Sequence, residues 1–150
     1  MKKIDFMIDE FMFYCDSKNL SKKTMMSYEQ TLRLFSKYLE EEMDIIDITK
    51  VTEKVIREYI KYMKERGKYT VVIDHRTLKT NTPKIRKDYG KKVSVTTINN
   101  YIRNIKVFFN YLKYQGYVKK DVVKNIKQLK NNRKPKKFIT DEQFGELLRY

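Results

Sequence analysis

Apolar side chains return every three or four positions along several stretches of this chain, with polar residues between them. That period marks amphipathic helices rather than strands. Ile4, Met7, Ile8, Phe11, Tyr14 and Cys15 predict a helix over 4–17. Met25, Tyr28, Leu32, Phe35 and Leu39 predict a second over 21–43, with Ser21 as its cap. Val55, Ile56, Tyr59, Ile60 and Met63 predict a third over 52–66, opened by Thr52 and stopped at Gly67. The strongest pattern, over 95–115, starts behind Ser94 and carries Ile98, Tyr101, Ile102, Ile105, Phe108, Phe109 and Leu112. Gly116 ends it. Val122, Ile126 and Leu129 behind Asp121 predict a short helix over 121–129.

Two stretches break the period. Residues 68–92 carry Tyr69, Val71, Val72 and Ile73, which favour extended backbone, and the turn-like "TNTPK". This reads as an insertion, either a short hairpin or a loop. It is basic, with Lys68, Arg76, Lys79, Lys84, Arg86, Lys87, Lys91 and Lys92 against Asp74 and Asp88. Residues 130–137, "KNNRKPKK", form a basic spacer. Behind it Thr140 and Gln143 make a capping box, Ile139 can staple onto Phe144, and Phe144, Leu147 and Leu148 begin another helical stripe.

Composition narrows the class. Four glycines and two prolines in 150 residues are too few for the turns of an all-β fold, so the expected class is all-α, a bundle of four to five helices. Lys and Arg number 34 against 19 Asp and Glu, a net charge of +15. A field of that sign predicts a polyanionic partner, nucleic acid first. The exception is the acidic end of the second helix, Glu40, Glu41, Glu42, Asp44 and Asp47, which should point away from a phosphate backbone. No apolar run approaches the roughly 20 residues of a membrane span. The single cysteine forms no internal disulfide, which fits a cytoplasmic location; Cys15 lies on an apolar stripe and reads as a buried thiol.

Catalytic chemistry finds no support in these residues. The one histidine, His75, lies in the basic insertion, and no His/Cys/Asp/Glu group has metal-ligand spacing. No glycine-rich phosphate loop occurs. No catalytic residue, metal or cofactor is therefore assigned. The polar faces of two helices are more informative. Thr96, Thr97, Asn99, Asn100 and Arg103 fall in the first two turns of the strongest helix, with Lys106 further along it. Arg and Asn are the side chains that grip guanine and adenine edges through paired hydrogen bonds. Lys22, Lys23, Thr24 and Ser27 open the second helix in the same manner. Helix starts also offer free N–H groups to phosphates. With Arg133, Lys134, Lys136 and Lys137 of the spacer, these residues form the expected DNA-binding set.

The order of segments resembles the N-terminal core-binding, or SAM-like, domain of tyrosine recombinases, the phage-type integrases and Xer-type relatives. The matching stretches are "SKKTMMSYEQTLRLFSKYL", "VTEKVIREYIKYM", "SVTTINNYIRNIKVFFNYLKYQGYV" and "KPKKFITDEQFGELL". The resemblance implies a core-binding domain over 1–130, a linker over 131–138, and the first helix of a truncated catalytic domain over 139–150. It also implies a clamp around double-stranded DNA, with the second and fourth helices in the major groove and other protomers of the recombinase alongside. The missing domain would supply the tyrosine nucleophile, whose chemistry needs no metal. Two departures stand out: "KKDVVKNI" replaces the family's usual Asn-Pro, and the insertion at 68–92 is longer than expected. The rival readings are a stand-alone helical DNA-binding regulator and a basic protein-interaction scaffold.

Overall fold

The computed structural model describes residues 1–66 and 91–130. Four α-helices carry this part: α1 (Ile4–Ser17), α2 (Lys22–Met43), α3 (Glu53–Glu65) and α4 (Val95–Tyr114), with a 3-10 turn at Ile48–Lys50 between α2 and α3. No strand occurs among the described residues; Lys3 and Asp47 form an isolated antiparallel bridge. The all-α expectation holds. The body of the insertion and the whole tail, residues 67–90 and 131–150, lie outside the described residues, and with them the readings made of Gly67, His75, Thr140 and the spacer.

The predicted caps form. Ser21 Oγ accepts from Thr24 N, Thr52 Oγ1 from Val55 N, and Ser94 Oγ from Thr97 N. Each takes up a backbone donor that the first helical turn leaves without a partner. At the far end of α4, Gly116 adopts φ 80°, Tyr117 N bonds Leu112 O and Gly116 N bonds Lys113 O. This is the Schellman closure, and only glycine takes that backbone without strain.

α1 and α2 form an antiparallel hairpin. Ser36 Oγ donates to Asp5 Oδ1 at 2.8 Å near one end, and Phe11 meets Tyr28 at 5.7 Å between ring centroids near the other. α4 packs on this pair. Along α4, Asn104 meets Ser27 and Thr31 of α2, Phe108 meets Phe11 of α1 at 5.4 Å, and Tyr111 meets Tyr14 of α1 at 4.7 Å. Phe109 meets Phe35 of α2 at 6.3 Å, so α4 packs across both helices of the hairpin. α3 closes the other side, where Tyr59 lies between Phe35 at 4.9 Å and Tyr38 at 4.8 Å. Phe11, Leu32, Phe35, Leu39, Ile98, Ile102 and Phe108 are buried at the junction. Each such side chain contributes about 1.5–3 kcal/mol by leaving water.

The predicted helix at 121–129 does not form. Asp121 Oδ1 accepts from Val123 N, and Ile126 N bonds Val123 O, which makes a single turn. Beyond it the backbone is held from outside. Arg57 donates to Asn125 O at 3.2 Å, Lys106 Nζ to Ile126 O at 2.7 Å, and Asn99 Nδ2 to Leu129 O at 3.1 Å. Asn99 Oδ1 also accepts from Leu129 N at 2.7 Å. Side chains of α3 and α4 thus take up groups that a helix would have paired internally, and the segment lies as a strap whose own Val123 and Ile126 side chains are buried.

Candidate nucleic-acid interface

The two helix starts singled out by sequence share one local design. In each, serine caps the helix and its hydroxyl also bonds the threonine three residues on: Ser21 to Thr24 Oγ1 and Ser94 to Thr97 Oγ1, both at 2.9 Å. The helices then meet where Asn104 touches Ser27. Ser27 lies six residues past its cap and Asn104 ten residues past its own. At 1.5 Å of rise per residue, both starts fall within about 15 Å of one crossing point. Lys22, Lys23 and Thr24 therefore lie within two turns of this contact along α2, and the first turns of α4 within three turns of it along α4.

The outward side of α4 divides into three strips. Successive residues turn by about 100° around the axis. On one edge Asn99 and Lys106 hold the strap at 126–129. On the other edge Asn104 is buried against α2. Between them Thr96, Asn100 and Arg103, spaced four and three apart, form an exposed stripe. Arg103 Nη2 donates to Asn100 Oδ1 at 3.1 Å, so the two side chains share one orientation. Of the residues expected to touch DNA, Lys22, Lys23, Thr96, Asn100 and Arg103 are open, whereas Asn99 and Lys106 are engaged within the fold. Thr24 and Thr97 complete the caps. Arg133, Lys134, Lys136 and Lys137 lie outside the described residues.

Charge follows the same division. Arg33, midway along α2, is compensated by Asp9, by Asp5 at 3.6 Å and by Glu29 at 3.8 Å. Lys22 and Lys23 at the start of α2 are exposed, and so are Glu40, Glu41, Glu42 and Asp44 at its other end. α2 therefore carries a charge gradient along its length that its own dipole reinforces at the positive N-terminus. Cys15 is buried, and burial pushes its thiol up from the usual value, away from the thiolate that a nucleophile needs.

A cleft of about 630 Å³ lies at the far end of α4, lined by Lys2, Thr52, Phe109, Tyr117 and Asp121 among others. It is remote from both helix starts. No helix among the described residues is long and apolar enough to cross a membrane.

Sequence reasoning missed Asn104. Its signal was an amide placed among Tyr101, Ile102, Ile105 and Phe108, on the apolar side of the strongest helix.

Comparison with known proteins gives two matches. The family model described as phage integrase, N-terminal SAM-like domain, matches residues 8–82, which take in most of α1 and all of α2 and α3. A tyrosine recombinase of Thermosipho africanus (strain TCF52B) is 23% identical over 148 residues, 99% of this chain and 43% of that protein. The chain thus spans less than half the length of this relative. No solved structure is significantly similar.

Proposed function

This chain belongs to the family of phage-integrase N-terminal SAM-like domains, and from that premise we propose that it binds duplex DNA sequence-specifically, as the N-terminal half of a tyrosine recombinase clamp. The observation that carries the reading is the contact of two serine-capped helices at Ser27 and Asn104, with Lys22 and Lys23 exposed at the start of one and Thr96, Asn100 and Arg103 exposed in the first turns of the other. Helix N-termini attract phosphates through their free N–H groups and dipole. Arg103 and Asn100 have the donors and acceptors that distinguish base pairs in the major groove. Lys22 and Lys23 supply charge without sequence preference. The acidic end of α2 stays clear of the phosphates.

In the proposed clamp the first turns of α2 and α4 enter the major groove, and Arg133, Lys134, Lys136 and Lys137 follow the backbone toward a catalytic domain. That domain supplies the tyrosine that joins DNA covalently, and strand exchange takes place between several protomers in the cytoplasm.

A salt titration with a labelled duplex tests the reading. If about six phosphates are neutralised, the log–log slope of affinity against salt is near −5. A flat salt response, or displacement by heparin as easy from every duplex as from none in particular, contradicts sequence-specific DNA binding.

A further inference from the structure

The contact at which α2 and α4 cross is polar, although the core around it is apolar. Asn104 is 2% exposed and Thr31 1%. Asn104 Nδ2 lies 2.9 Å from Thr31 Oγ1, 3.1 Å from Ser27 Oγ and 3.4 Å from Ser27 O. The backbone carbonyl can only accept, which fixes the amide with its nitrogen toward α2. Thr31 Oγ1 donates in turn to Ser27 O at 2.9 Å. Three groups of α2, one turn apart, thus converge on one amide of α4.

Stability alone does not call for this arrangement. An apolar side chain of similar shape at 104 would bury as well and would orphan no donor, because Thr31 already bonds Ser27 O. Apolar contacts, however, are non-directional, and those of Phe108 and Phe109, one turn beyond Asn104 on α4, specify the crossing less sharply than a hydrogen bond does. A hydrogen-bonded amide accepts one register and one crossing. The best-attested use of a buried polar residue between helices is this selection of register.

We propose that Asn104 is a positioning residue that locks the register between the two helix starts, and thereby sets the sequence preference of the DNA surface they form. The inference rests on the DNA-binding reading above, and it goes beyond it: Asn104 touches no DNA, yet it decides whether Lys22 and Lys23 on one helix and Asn100 and Arg103 on the other fit one duplex together. Ser27 and Thr31 are its partners in the lock. Displacement of either helix by one turn, about 5.4 Å, would carry the readers out of reach of their bases.

The test uses the whole chain and two variants that break the lock from opposite sides, Asn104→Leu and Thr31→Val. Spin labels on Lys23→Cys and Thr96→Cys report the distance between the starts without DNA; the buried Cys15 stays unlabelled in the folded protein. Binding is read separately in unlabelled protein, by selection from a library of randomised duplexes. The expected result is a single narrow distance in the parent and a broadened or bimodal one in both variants. Discrimination between selected and random duplexes should fall about tenfold, the order of one good base contact. The salt slope should not change, because the phosphate-binding lysines remain. Rescue by Asn104→Gln is not expected, since its longer arm misplaces the amide. An unchanged distance in both variants, or full retention of sequence preference despite a broadened one, overturns the proposal. If the parent shows no salt-dependent duplex binding, the DNA reading fails instead, while the distances still decide whether Asn104 locks the helices.

Discussion

The starts of α2 and α4 share a capping pattern and behave differently in the fold. Both begin with a serine cap bonded to a threonine three residues on, and both continue with polar side chains. On α2, Lys22 and Lys23 stand open to solvent. On α4, Asn99 and Lys106 reach sideways and hold the backbone of 126–129, leaving Thr96, Asn100 and Arg103 exposed. A polar helix face is thus no measure of a binding face. Part of it can be spent on the protein's own backbone, and only the strip left over faces a partner.

The largest effect is expected from removing the side chain that differs most between the two starts. Asn99→Ala leaves both backbone groups of Leu129 without their partner, and the expected loss is about 1–3 kcal/mol of stability. Urea unfolding measures it, and hydrogen exchange at Leu129 should accelerate alongside. Unaltered stability with a purely sequence-specific binding defect would make Asn99 a base reader and erase the distinction drawn here.

The shared caps give the next largest effect. Ser21→Ala and Ser94→Ala each remove an acceptor for one backbone donor, at a cost of about 1 kcal/mol apiece. Because the geometry repeats, the two losses should be nearly equal in thermal unfolding. A marked inequality would show that one start depends on its cap and the other on tertiary contacts.

A reference lies away from both starts. Tyr59 is fully buried, and its hydroxyl is the buried side-chain group with no hydrogen-bond partner among the described residues. Burial drives its phenol well above the ordinary value of 10. The folded state therefore binds this proton more tightly than the unfolded chain. Its contribution is complete below pH 10 and is lost as the pH rises above that value, where only the unfolded chain ionises. Tyr59→Phe should raise stability at neutral pH by about 1 kcal/mol and flatten the alkaline loss. Unfolding midpoints from neutral pH to above pH 10 check both signs, and duplex binding at neutral pH should not move.

The smallest effect on stability belongs to α2. Lys23→Ala should change folding by less than about 0.5 kcal/mol, as for other open surface positions. It should weaken binding to all duplexes alike and lower the salt slope by about 0.9 if Lys23 meets one phosphate. A sequence-dependent loss would move Lys23 from the positioning class to the reading class.

Local pattern was enough to define the helices. The spacing of Ile4, Met7, Ile8 and Phe11, the caps at Ser21, Thr52 and Ser94, and the stop at Gly116 each concern residues within a turn or two of one another. Helix periodicity and capping are short-range chemistry, so they can be read along the chain. The same reading failed at 121–129. Val122, Ile126 and Leu129 have helical spacing, but Asn99, Lys106 and Arg57 arrive from distant positions and claim that backbone.

The candidate interface was legible by residue type and not by availability. Helical class, basic charge, the family resemblance and the polar starts of α2 and α4 followed from the amino-acid order alone. The tertiary structure decided that α4 packs across both helices of the α1–α2 hairpin, that Arg33 is compensated while Lys22 and Lys23 are open, and that Asn99 faces Leu129. It also decided that Asn104, one amide among isoleucines and aromatics, binds α4 to α2. The physical reason is range. A side chain's hydrogen-bonding capacity belongs to its residue type, but the partner that uses it lies tens of residues away, as Ser27 and Thr31 do from Asn104. Only folding selects which of the possible partners comes within about 3 Å.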